Sequence, residues 1–409
     1  MNGPTAHSFL GGSVAKQFIN CPGSVRIRRA LPPTPSSVHA EEGTRLHALQ
    51  EHCLREGEYD ASGYVGALLP EDPRNAAPFT KEQIAAVNAV LRHVETLMQL
   101  PGAELFVETK FTLADIREGM FGTCDVCVWT PERLHVVDAK YGKGVAVEAA
   151  ENDQLRYYAA GARRVFGDRT PWELTLTIVQ PRLAVPHPDG PVQSWDVDLI
   201  SLMAWEAELA EAVERTDAPD APLAAGDWCR FCPGARIQAS GDYGCAAVAA
   251  KINAARDDAF AVLEDPPVLA GMTAAEIGRR YSELALLAKY IKDFSTFVRA
   301  KARTELPDGF EWAPGGRSWK WNKPAGDVLD FVRAIDGDTA AADLTSIVTP
   351  IQAEKALGKD TFAAVAAFVD KGTSAPSLVK KGSRKQTLTL AQVADYFAAN
   401  NDAAFSEIE

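Results

Sequence analysis

No stretch of this chain approaches the roughly 20 consecutive apolar residues that a membrane-spanning helix needs. Its opening residues, Met1-Asn-Gly-Pro-Thr-Ala-His7, lack a charged segment followed by a hydrophobic one, so a cytoplasmic protein with no membrane partner is expected. Positive charge is in short supply. Against 55 Asp and Glu stand 42 Lys and Arg, a net charge of -13. That balance argues against a general polyanion-binding surface and confines phosphate contacts to local basic patches. Internal repeats and low-complexity tracts are missing as well. Cysteine is sparse and odd in number, 7 in 409 residues, and without an export signal these residues read as thiols or metal ligands before disulfides.

What the chain does have is apolar content enough for real cores, 46%, in a length that suits two or three domains. Hydrophobic periodicity and cap residues predict helices over 41–56, 81–99 and 152–166, the first with Leu46, Leu49, Cys53 and Leu54 as its apolar stripe. Strands are expected over 105–111, 121–129, 134–140 and 173–180. Helices, three consecutive strands, a crossover helix and a further strand describe an α/β core, a mixed sheet flanked by helices, within residues 1–250. Residues 251–306 read as a connector dominated by a long helix. Thr273-Ala-Ala-Glu276 opens it as a capping box, Ile277, Tyr281, Leu284, Ala288, Ile291 and Val298 recur at three and four, and it should end near Leu306-Pro307. Residues 307–409 form a small, mainly helical region. It holds a hairpin of Phe310-Glu-Trp312 and Trp319-Lys-Trp321, with helices near 350–356, 361–369 and 389–399.

The most informative segment is the pair of strands around Thr130-Pro-Glu-Arg133. If Pro131 and Glu132 form a two-residue hairpin tip, residue i faces residue 263 minus i, which sets Asp125 across from Asp138 with Lys140 on the same face. Facing β-carbons lie roughly 5 Å apart, and like charges at that distance are destabilising without compensation. A divalent cation supplies it, which makes two carboxylates and an ammonium a hard-oxygen site for Mg2+ or Mn2+. A solvated edge hairpin could carry the same residues idly. Against that, Val126, Val128 and Val137 on one face and Cys127, Trp129 and Val136 on the other predict burial on both sides. Cys124 and Cys127, three apart on a strand, should point to opposite sides and serve as core.

In chain order the ionisable pieces are Gly43-Thr-Arg-Leu-His47, Glu108, Gly122-Thr-Cys-Asp125, Asp138-Ala-Lys140 and Gln154-Leu-Arg-Tyr-Tyr158. The series resembles the PD-(D/E)XK nucleases, in particular the RecB-like branch with its G-x-x-x-H, G-x-x-D, (D/E)-x-K and Q-x-x-x-Y motifs. The resemblance implies a Mg2+- or Mn2+-dependent deoxyribonuclease, an exonuclease in phage recombination, replication or repair. A recombinase or single-strand-binding protein would be its partner. It also implies that His47, Asp125, Asp138 and the main-chain carbonyl of Ala139 bind the metal, and that Lys140 is the catalytic lysine. Gln154 and Tyr158, four apart and so on one helix face, would contact the DNA backbone. Glu108 enters as an alternative or supporting carboxylate. The competing reading is a non-catalytic DNA-binding or recombination-accessory protein that keeps the fold.

Trp228-Cys-Arg-Phe-Cys232 and Cys245, with the distant Cys21, resemble the one-plus-three cysteines by which several RecB-like nucleases hold a [4Fe-4S] cluster. Twelve residues separate Cys232 from Cys245, longer than that family usually shows. Zinc in the same four sulfurs is the alternative. Nearly the whole chain, through Asn20-Cys-Pro-Gly-Ser24, Glu41-Glu-Gly-Thr44, Val137-Asp-Ala-Lys-Tyr-Gly-Lys-Gly-Val145, Glu151-Asn-Asp-Gln154, Gln180-Pro-Arg182 and Ala375-Pro-Ser-Leu-Val379, is also similar to a phage and prophage family catalogued only as a domain of unknown function. Near the C-terminus, Arg317, Trp319, Lys320, Trp321 and Lys323, then Lys380, Lys381, Arg384 and Lys385, combine cationic and stacking groups suited to DNA or a partner. A packed tryptophan hairpin with a solvated basic loop would look the same.

Overall fold

The computed structural model describes residues 8–32, 38–69, 78–183, 186–238, 240–264, 272–314, 317–322, 328, 331–334, 349–373, 375–381 and 387–399. The chain divides into two units, Met1–Tyr290 and Ile291–Glu409. No helix among the described residues is long and apolar enough to cross a membrane.

The first unit opens with three helices, α1 (Ala15–Asn20), α2 (Ser24–Ala30) and α3 (Val38–Arg55). Then comes α4 (Lys81–Met98), started by a capping box between Thr80 and Gln83. Strands β1 (Glu104–Thr112), β2 (Phe121–Trp129) and β3 (Arg133–Ala139) follow, then α5 (Asp153–Phe166), β4 (Glu173–Val179), β5 (Val192–Asp198) and α6 (Leu199–Arg215). The five strands form one mixed sheet in sequence order; β3 and β4 are parallel across the α5 crossover, and every other pair is antiparallel. β3 is central, and all of its residues after Arg133 are buried, as suits a strand covered on both faces.

One face of the sheet packs Cys127, Leu134, Val136, Leu174 and Leu176 against α1, α5 and α6 through Phe18, Leu155, Tyr157 and Leu209. The other packs Val126, Val128, Val137 and Val179 against α3 and α4 through Leu46, Leu49, Val87 and Leu91. α5 lies so close to the sheet that a β-carbon on Gly161 would meet Phe111 Cβ at 2.4 Å.

The β2–β3 hairpin has the expected register. Val126 faces Val137 and Trp129 faces Leu134, and the turn is locked by Thr130, whose N–H and hydroxyl both donate to the Arg133 carbonyl. The alternation of faces does not run unbroken, however. Between β1 and β2 the ladder joins Val107 to Val126 and Thr109 to Cys124, with no bridge between Glu108 and Asp125, and Glu108 has the left-handed φ of 45°. This break reverses the facing of both strands. Cys124 and Cys127 consequently lie in the same core, beneath α5, rather than on opposite sides as strict alternation predicts.

Past α6, α7 (Ala246–Glu264) and the long α8 (Ala274–Lys301) complete the helices up to the second unit, which begins within α8. Thr273 and Glu276 form the expected cap, and the helix stops ahead of the predicted end. Its residues Ile277, Tyr281, Leu284 and Ile291 are exposed.

The second unit contains β6 (Phe310–Ala313), β7 (Arg317–Trp321), α9 (Pro350–Val365), β8 (Val369–Thr373), β9 (Ser377–Lys380) and α10 (Leu390–Ala399). Here the predicted hairpin is corrected: β6 pairs with β9 and β7 with β8, in two separate two-stranded sheets. A Pro-Gly turn signal shows where a chain can reverse but not which strand it will then meet. Trp312 is buried and its indole N–H donates to the Ala302 carbonyl, which holds β6 to the end of α8. The helices expected near 350–356 and 361–369 are one, α9, followed by β8. Lys323, Arg384 and Lys385 lie outside the described residues, as do the side chains of Arg317, Trp319, Lys320, Trp321 and Lys380.

Candidate metal centre

The break at Glu108 and Asp125 is where the chemistry collects. His47 projects from α3 toward β2, its Nδ1 3.5 Å from Asp125 Oδ2. With Glu108 these make the group of His, Cys, Asp or Glu side chains, among the described residues, whose ligand atoms all lie within 4.8 Å of one another. The α3 face is fixed from below by Tyr141, which stands edge-on to the His47 ring at 5.0 Å between centroids and donates its hydroxyl proton to buried Gln50 at 2.7 Å. Burial, with the charge of Asp125 next, pushes the Glu108 carboxyl up to about 8. Two crowded carboxyls and an imidazole, one carboxyl resisting ionisation, form a donor set that a hard divalent cation fits.

Asp138 lies beside this group rather than in it. Its Oδ1 accepts from Gln154 Nε2 at 3.0 Å, and its Oδ2 forms an ion pair with the Lys140 ammonium at 2.6 Å. Lys140 Nζ also donates to Gln154 Oε1 at 3.0 Å. Burial opposes both charges. For Asp138 it prevails and raises the pKa, whereas for Lys140 the carboxylates of Asp138 and Asp125 outweigh it and hold the ammonium protonated. Ala139 contributes its amide: the N–H donates to Asp125 Oδ2 at 2.8 Å and orients that carboxylate toward His47.

Gln154 and Tyr158 do share a face of α5, with Gln154 Nε2 2.9 Å from the Tyr158 hydroxyl. The helix start is fixed by Asn152, whose side chain accepts from the N–H groups of Gln154 and Leu155. Burial lifts the Tyr158 phenol well above its ordinary range. The glycine of the G-x-x-D motif has a steric reason, because a β-carbon on Gly122 would come within 2.8 Å of the Tyr158 ring. Gly43 has open space around it, and nothing in the structure explains a glycine there.

Gln180-Pro-Arg182, in the sequence a family mark alone, has a task in the fold. Gln180, buried, accepts from Val147 N–H and donates to the carbonyls of Gly142 and Val145, fastening the loop that leaves Lys140. Arg182, its side chain 2% exposed, bonds Glu42 of α3, Glu82 of α4 and the Tyr141 carbonyl. A buried arginine reaching two carboxylates ties the helical layer to the end of β3, and only the fold shows where it reaches.

Cys21, Cys229, Cys232 and Cys245 are free thiols close enough to feel one another's charge. Burial raises Cys21, Cys229 and Cys232. Backbone amides point at two of the sulfurs, Ala224 N–H at Cys21 (3.3 Å) and Gly226 N–H at Cys229 (3.4 Å). The Ala224 bond to Cys21 and the bond from Gly23 N–H to the Pro222 carbonyl fasten the N-terminal arm to the segment after α6.

Comparison with protein-family models matches residues 7–386 to the family described as a protein of unknown function, DUF2800, and the chain belongs to that family.

Proposed function

We propose that this DUF2800 protein is a metal-dependent deoxyribonuclease of the PD-(D/E)XK type, an exonuclease leaving 5′-phosphate and 3′-hydroxyl ends. The observation that carries the reading is the convergence of His47, Glu108 and Asp125 within 4.8 Å, beside the Asp138–Lys140 pair. His47, Glu108 and Asp125, with Asp138 adjacent, would hold Mg2+ or Mn2+. Such a cation, when bound, polarises a phosphate and makes a bound water acidic.

The remaining work falls to side chains. Lys140, kept protonated by Asp138 and Asp125, can orient a water or a phosphate oxygen by donating to it but cannot act as the base. Gln154 bridges Lys140, Asp138 and Tyr158 and so keeps the ammonium aimed. Asp125 is steered by the Ala139 amide before any ligand arrives, which lowers the reorganisation needed.

The four cysteines are assigned to a [4Fe-4S] cluster. Thiolates with backbone N–H groups aimed at sulfur suit it. A single tetrahedral zinc in the same four sulfurs is the alternative.

The test is digestion of linear, circular and single-stranded DNA by purified protein with Mg2+ or Mn2+ against chelator. Wild type should degrade ended DNA only with metal, and Asp138→Ala and Lys140→Ala should each lose roughly 10³-fold or more. Equal behaviour of all three proteins would refute the catalytic reading. Anaerobically purified protein should be brown, with visible charge-transfer absorption; a colourless, zinc-loaded protein would refute the cluster.

A further inference from the structure

The turn between Cys229 and Cys232 presents a phenylalanine to solvent. Phe231 is 80% exposed while Cys232 behind it is buried, and the turn is stiffened by bonds from Cys232 N–H to the Cys229 carbonyl and from Ala235 N–H to the Cys232 carbonyl. Beside it sits α2. Ile27 packs into the same small core as Cys229, Cys232 and Cys245, a β-carbon on Gly234 would meet Ile27 Cγ2 at 2.6 Å, and the charge of Arg28 reaches Cys232.

The charge of this surface is opposite to that of the molecule. Residues 22–31 and 229–238 together carry Arg26, Arg28, Arg29, Arg230 and Arg236, in a chain of net charge -13, and Asp227, just before the turn, is the carboxylate nearest to Arg230 in the chain. Asp217, whose charge reaches Arg29, is already held through both oxygens by Arg117. A second aromatic, Phe9, is 41% exposed with the guanidinium carbons of Arg28 and Arg29 each 5.5 Å from its ring centre. Arginines match phosphate oxygens with two parallel donors, and an exposed ring accepts any unpaired base on its face.

We infer that α2 and the Cys229–Cys232 turn form a contact for single-stranded DNA, in which a base stacks on Phe231 and Arg26, Arg29 and Arg230 hold the flanking phosphates. The choice of DNA as the polymer rests on the nuclease reading above. The surface lies apart from the residues assigned to hydrolysis, and the role given to it is to grip an unpaired strand rather than to cut it.

Fluorescence anisotropy of the full-length protein with a labelled oligo-dT strand and with a duplex of equal length, both in chelator, separates binding from cleavage. Phe231→Ala should weaken binding of the single strand about tenfold and of the duplex less than twofold. Arg26→Ala/Arg29→Ala should reduce the slope of log affinity against log salt by about 1.4. Phe231→Trp should keep wild-type affinity, which excludes a merely structural loss in the alanine variant. If Phe231→Ala binds the single strand as wild type does, the inference falls, and that is the result a protein-docking surface would give. Loss of single-strand binding by Phe231→Ala in a protein that cleaves no DNA would sustain this contact while removing the nuclease; cleavage with unchanged Phe231→Ala binding would do the reverse.

Discussion

Glu108 sits in a backbone conformation that a non-glycine residue adopts only at a cost of about 1–3 kcal/mol. The surrounding ladder of β1 and β2 holds it there, and the return is the convergence of its carboxyl with Asp125 and His47. A carboxylate placed by strain for a ligand should be dispensable to the fold. Glu108→Gln keeps the shape and removes the carboxyl that a bound cation would ionise. It is therefore expected to melt within a few degrees of wild type in chelator while binding Mn2+ at least about tenfold more weakly, read by calorimetric titration. The register of the β2–β3 hairpin, with Val126 across from Val137, could be read from the turn residues and the apolar alternation. The facing of Cys124 could not, because a period of two carries no mark for a single positive φ; Glu108 was legible as an alternative or supporting carboxylate, but not the backbone turn that brings it to His47 and Asp125. Gly122 was visible as part of a motif, but its reason, the Tyr158 ring, exists only once α5 is docked.

At the scale of elements, Arg182 shows how the helical layer is fastened to the sheet. Its bond holds Glu42 below the ordinary carboxylate range. For Glu82 burial works the other way and is outweighed by Arg182 and Lys143, so it too is lowered. A depressed folded-state pKa contributes stability that is fully present above the unfolded value, roughly 4.3, and is lost as pH falls through the lower folded values. Arg182→Met should cost about 2–3 kcal/mol at pH 7. Between about pH 5 and pH 3, wild type should lose more stability than the variant does, as chemical denaturation at each pH would show. A variant with an unchanged pH profile would remove Arg182 from this role. The core strands and α3, α4 and α5 were readable because their apolar spacing and caps are strong. β5 was not, since Val192-Gln-Ser-Trp-Asp-Val-Asp198 buries a glutamine at Gln193 and blurs its own alternation. The strand partners in the second unit were hidden for another reason: pairing at a distance leaves no local signal.

Across the first unit, the proposed cluster would connect cysteines about two hundred positions apart in the chain. A cross-link of that span would constrain the unfolded chain strongly, and metal binding by four thiolates would add directly to folding free energy. Cys21→Ser should bleach the visible absorption and lower the melting temperature of the anaerobic protein by several degrees or more, while Cys53→Ser, in the α3–α4 core away from the group, should leave the absorption unchanged. Retained colour in Cys21→Ser would exclude Cys21 as a ligand. The one-plus-three spacing made this group readable from sequence; the amides of Ala224 and Gly226 that support it were not.

The central claim is that one cation is held by His47, Glu108 and Asp125 beside the Asp138–Lys140 pair. Anomalous diffraction from crystals soaked in Mn2+, recorded at the manganese edge, tests it most directly. The account predicts a single strong peak between the His47 imidazole and the carboxylates of Glu108 and Asp125, abolished in Asp125→Ala. A manganese-loaded crystal with no peak there, or with its strongest peak elsewhere on the protein, would contradict it.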